Sequence, residues 1–114
     1  MKKYQPSEHQ EQVALVAKLR KDGFFVFAIP NGGIRDLGTR ISLTHEGVLA
    51  GIPDLCIALE GGSVLWIELK TRKGGQISKA QKEIHKQLEN IGHKVIIGRG
   101  AKEAYDAILQ FTRR

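Results

Sequence analysis

Cysteine is nearly missing from this 114-residue chain: Cys56 stands alone, which rules out an internal disulfide. Its apolar neighbours predict a buried, reduced thiol, as a reducing cytoplasm allows. No apolar run approaches the roughly 20 residues needed to cross a bilayer. Met1-Lys2-Lys3-Tyr4-Gln5-Pro6 leads into a polar helix instead of an apolar signal region. We therefore expect a cytoplasmic protein without membrane contact. His9, His45, His85 and His93 lack zinc-like spacing, and one cysteine cannot complete a structural zinc site, so all four read as non-ligands. The absence of a Gly-x-x-x-x-Gly-Lys-Ser/Thr loop excludes a P-loop nucleotide cofactor. Acids are the scarcer charge: 12 Asp+Glu against 18 Lys+Arg leaves a formal +6, with a pI near 9.7. That excess favours a polyanionic partner.

What is present fits one α/β domain over residues 1–114, since 114 residues leave no room for two ordinary cores. The hydrophobic fraction is 41% and mean hydropathy is −0.24, values usual for a globular chain. Ser7 with Gln10 reads as a capping box opening a helix that runs to about Lys21 and stops at Asp22-Gly23. Phe24 to Ile29 is a continuous apolar strand broken by Pro30-Asn31-Gly32-Gly33. Thr39 to Glu46 fits a short helix closed by Gly47. Asp54 to Leu59 and Val64 to Lys70 are strands joined around Gly61-Gly62-Ser63, followed by a basic loop from Thr71 to Ile77. Ser78 and Gln81 form a second capping box, and Ala80, Ile84, Leu88 and Ile91 predict the buried stripe of a helix ending at Gly92. A strand from Lys94 to Gly98 and a helix from Ala101 to about Phe111 complete the chain. The expected architecture is a central mixed β-sheet flanked by helices.

Two acids stand out: Pro53-Asp54, then, after thirteen residues, Glu68-Leu69-Lys70. Val64 to Ile67 is apolar on both faces and so belongs inside a sheet covered on both sides. Period 2 puts Trp66, Glu68 and Lys70 on one face, with Leu65, Ile67 and Leu69 on the other. Ionisable groups in such a place need a partner or a metal. If Gly61-Gly62-Ser63 is a three-residue loop, Glu60 opposes Val64, Ala58 opposes Trp66, Cys56 opposes Glu68 and Asp54 opposes Lys70. Directly opposed residues share a face, so all three polar groups would lie together. A two-residue loop would send Asp54 to the other side.

The order of elements resembles the PD-(D/E)XK nucleases, with their restriction-endonuclease-like core. Gly51-Ile52-Pro53-Asp54-Leu55, Trp66-Ile67-Glu68-Leu69-Lys70-Thr71, Ile77-Ser78 with Gln81, and the upstream Pro30-Asn31-Gly32-Gly33 resemble the compact phage-type VRR-NUC (virus-type replication-repair nuclease) branch. The likeness runs from about Ser7 to Ile108. It implies that Asp54, Glu68 and the Leu69 carbonyl bind Mg2+ or Mn2+, the hard-oxygen set that magnesium prefers. Lys70 would orient or help deprotonate water and offset charge in the transition state. The implied activity is metal-dependent cleavage of DNA, leaving a 5′-phosphate and a 3′-hydroxyl. Minimal relatives act as homodimers on branched DNA such as four-way junctions, and the phage-type likeness implies a phage or prophage source. A flap or nicking nuclease, or a non-catalytic DNA-binding domain on the same fold, are the alternatives.

Glu8, Gln12, Leu15 and Leu19 form one line along the first helix. Related nucleases carry an acid there that completes the metal shell: Glu8 is our choice, Glu11 lies near the same face, and Gln12 is a neutral replacement. Gln81 has two readings, touching metal-bound water or phosphate, or only capping its helix. Lys79, Lys82 and Lys86 form a stripe that, with Arg72 and Lys73, suits phosphate contacts. Asn31 sits in a glycine turn that lets backbone approach DNA. Tyr105 or Phe111 of the last helix would supply a dimer face.

Overall fold

Helix and strand signals alternate along the chain, and the computed structural model, which describes residues 5–30 and 37–113, follows that alternation. Asn31, Gly32 and Gly33 lie outside the described residues. The elements are α1 (Glu8–Lys21), β1 (Phe25–Ala28), α2 (Leu37–His45), β2 (Leu55–Ala58), β3 (Val64–Lys70), α3 (Lys79–Asn90), β4 (Lys94–Arg99) and α4 (Ala101–Thr112). Both expected capping boxes are formed, Ser7 with Gln10 and Ser78 with Gln81. Among the described residues, no helix is long and apolar enough to cross a membrane.

The four strands make a mixed sheet in the order β1-β2-β3-β4. The first two pairings are antiparallel, and β3 runs parallel to β4 through α3. The continuous apolar stretch of β3 thus lies inside the sheet, as its composition demands. Its odd-numbered residues, Leu65, Ile67 and Leu69, are fully buried with Leu55 and Ile57 against Leu15, Leu19, Ala104 and Ile108 of α1 and α4. Tyr105 of α4 donates a hydrogen bond to Asp22 and lies under the Lys18 ammonium, tying the two helices together. The even-numbered face of β3 meets α3. β1 is an edge strand on which Phe25 and Phe27 are 70% and 41% exposed.

Two local expectations need correction. The β2–β3 turn has three residues, but they are Glu60-Gly61-Gly62: Leu59 N donates to Ser63 O at 2.9 Å, and Ala58 opposes Val64. Both glycines take φ near +90° (88° and 90°), a region that a serine avoids, so Ser63 returns to extended backbone. Each pair therefore shifts by one residue on both strands. Cys56 faces Trp66 instead of Glu68, and Asp54 is next in line to face Glu68 instead of Lys70. Shared-face parity survives because the loop still has three residues. In α3 the buried stripe is Ile84 and His85 with half-buried Gln81 and Leu88, whereas Ala80 and Ile91 are exposed. The helix is rolled so that polar side chains reach the sheet.

Candidate active site

A proline decides how β2 and β3 part company. Leu59 and Ser63 form a hydrogen-bonded pair, so 57/65, 55/67 and, one step on, 53/69 are the positions that exchange backbone bonds. Pro53 has no N–H to offer the Leu69 carbonyl. The Leu69 amide donates instead to the Asp54 carboxylate, 2.8 Å from Oδ2. Asp54 keeps its place through the other edge, where Ile29 N donates to its carbonyl at 2.9 Å. It thereby opposes Glu68 in a non-hydrogen-bonded pair, the kind in which side chains come closest.

Glu68 is wholly buried (0% exposed). Gln81 Nε2 donates to its Oε2 at 3.3 Å, and His85 Nε2 lies 3.1 Å from its Oε1. Its pKa is pushed up to about 9, first by burial and then by the hydrogen bond to, and repulsion from, the Asp54 carboxylate, with Lys70 opposing. Such a group demands a proton or a cation beside it. Burial lowers the pKa of His85, favouring a neutral ring. Gln81 caps α3, its Oε1 accepting from Ser78 N at 2.9 Å, while its Nε2 reaches Glu68. Gly51 holds the loop before Pro53 against α3, because a Cβ there would stand 2.5 Å from Ala80 O.

Lys70 is half-buried, next on the same face as Glu68, and makes no ion pair within 4 Å among the described residues. Glu8 is exposed in the first turn of α1, close enough to Asp54 and Lys70 to feel both. Loss of surrounding water raises its pKa, Asp54 adds to the rise and Lys70 opposes it. Glu11 is the buried acid of α1 (3% exposed), but it is taken. Arg72 Nε and Nη2 donate to it at 2.9 and 3.3 Å, and the Ala101 amide bonds it too. It therefore caps α4, whose N-cap Gly100 has no side chain to do so. Arg72, expected on DNA, has its guanidinium on that acid. Lys73, Lys79, Lys82 and Lys86 are exposed, and the last two line an open cavity of about 500 Å³ with Ile77, His85 and Ile97. Phe111 is 47% exposed, whereas Tyr105 is half-buried on Asp22.

Among the described residues no three His, Cys, Asp or Glu side chains converge to hold a metal. The donors on offer are two carboxylates and a main-chain carbonyl, a sparse hard-oxygen set. Magnesium is commonly held by one or two carboxylates, leaving places for water and phosphate, so the residues fit it. Sequence reading passed over His85. The signal was there: it lies four residues after Gln81 and in phase with Ile84 and Leu88.

No protein-family model and no curated protein sequence matches the chain. Among solved structures, a VRR_NUC domain protein superposes with a TM-score of 0.81 at 22% sequence identity, over 96% of this chain and 91% of that one. At that identity the likeness is one of fold, and it spans all the elements that carry Asp54, Glu68, Lys70 and Gln81. The chain has the fold of a VRR-NUC nuclease domain.

Proposed function

We propose that this protein is an Mg2+- or Mn2+-dependent endodeoxyribonuclease acting on branched DNA as a homodimer. The observation that carries the chemistry is the opposition of Asp54 and Glu68 on one sheet face, with Lys70 beside them. Asp54, Glu68 and the Leu69 carbonyl would hold the ion, with Glu8 near enough to feel Asp54 but not converging with the two acids. When bound, such an ion polarises the scissile phosphate and acidifies water. Lys70 orients the attacking water and offsets charge developing on the phosphate. Lys73, Lys79, Lys82 and Lys86 bind the backbone of the DNA and hold it in line. Arg72 works one step back, fixing the basic loop to Glu11.

The test is a labelled four-way junction, a flap and the matching linear duplex, each incubated with Mg2+, Mn2+ or EDTA. Cleavage of the junction is expected with either metal and none with EDTA. Glu68→Ala and Lys70→Ala should each lower the rate by roughly 10²-fold or more. Cleavage that survives both substitutions removes the site assignment. Binding without metal-dependent cleavage leaves a DNA-binding domain on a nuclease fold.

A further inference from the structure

Gln81 and His85 stand one turn apart on α3 and meet opposite oxygens of Glu68, at 3.3 and 3.1 Å. Residues four apart share a helix face, so one rigid turn grips the whole carboxylate. The last torsion of a glutamate is otherwise broad and roughly two-fold. With a partner at each oxygen, its plane can no longer turn. His85 is only 5% exposed, and Ile84 beside it already supplies apolar packing. A buried imidazole is tolerated where it is hydrogen-bonded, and its bond here goes to this one acid.

We propose that His85 is a positioning residue for the cation site, setting the plane of Glu68 so that its free lone pairs face the edge shared with Asp54 and Leu69. Toward an ionised Glu68 the facing nitrogen must donate, so the ring is held as the Nε2–H tautomer. The inference rests on the metal-dependent reading of Asp54 and Glu68. It goes beyond that reading by making affinity for the ion depend on a residue that never touches it, as hydrogen-bonded outer partners of metal ligands do elsewhere.

The test is a titration of the metal-free full chain with Mn2+, followed by electron paramagnetic resonance. It compares the native sequence with His85→Leu, His85→Asn, His85→Gln and Asp54→Asn. A glutamine amide nitrogen reaches the place of imidazole Nε2, whereas that of asparagine reaches only the place of Nδ1. His85→Leu and His85→Asn should bind Mn2+ about 10–100-fold more weakly, with His85→Gln within about threefold of the native chain. Circular dichroism establishes folding, and if His85→Leu does not fold, the contrast between Gln and Asn decides. Equal affinity in all His85 variants, or a Gln variant no better than Asn, overturns the positioning role. Failure of the native chain itself to bind Mn2+ overturns the metal-dependent reading instead, and Asp54→Asn marks the loss expected of a direct ligand.

Discussion

Glu68 and Glu11 are carboxylates that the fold takes out of water, and their surroundings move them in opposite directions. Burial and the Asp54 carboxylate raise Glu68. The hydrogen bonds from Arg72, set against burial, lower Glu11. A folded-state pKa below the unfolded value of 4.5 means that the native state binds fewer protons than the unfolded chain. Glu11 thus contributes stability that is fully present above pH 4.5 and is lost as pH falls through its lowered folded-state value. Urea midpoints of the native chain should fall between pH 4.5 and pH 3, below the range in which the raised Glu68 takes up its proton. Glu11→Gln should start lower at pH 7 and fall less over the acid range. The choice between Glu8 and Glu11 was beyond sequence reading, because both lie near one helix face. What separates them is Arg72, sixty-one residues away. His85 lies in phase with Ile84 and Leu88, yet a histidine on a helix face acquires its meaning only when Glu68 is known to stand opposite.

At the scale of elements, β3 divides its work between faces. Ile67 belongs to the core, fully buried among aliphatic side chains. Ile67→Ala should lower unfolding free energy by about 2–5 kcal/mol in urea, the usual loss for such a deletion. α2 is the opposite case, since most of its described residues are exposed and its backbone comes close to no other element. Its amides should exchange with deuterium far faster than those of β3, and trypsin should cut first near Arg40. Period-2 alternation made the Trp66-Glu68-Lys70 face readable, and capping boxes marked where α1 and α3 begin. The turn was harder, since Gly61-Gly62-Ser63 and Glu60-Gly61-Gly62 are both three-residue loops. What tells them apart is the Leu59–Ser63 hydrogen bond and the pairing of Ala58 with Val64. The phase of α3 was misread because Ala80 and Ile91 are apolar, although the inward face is chosen by contacts of Gln81 and His85 with Glu68.

For the whole molecule, element order was legible, since each helix and strand carries its own periodicity and stop signals. Sheet order and the meeting of α1 with α4 depend on contacts between distant parts of the chain, such as Tyr105 with Asp22. Among the described residues no strand pairs with the outer edge of β1, where Arg20 donates to the Val26 carbonyl at 3.2 Å and Phe25 and Phe27 stand exposed, edge-to-face at 6.4 Å. Unpaired edges invite strand-to-strand association, and here the guard against it is charge: a formal +6 makes copies repel. Salt removes that guard, because the Debye length shrinks from about 10 Å at 0.1 M to about 3 Å at 1 M. Sedimentation velocity should show growth in particle size between those concentrations, and Phe25→Lys should keep its low-salt size. Self-association of this protein is thus set by electrostatics, and the ionic strength that would loosen the proposed grip on DNA is also the condition that brings its edges together.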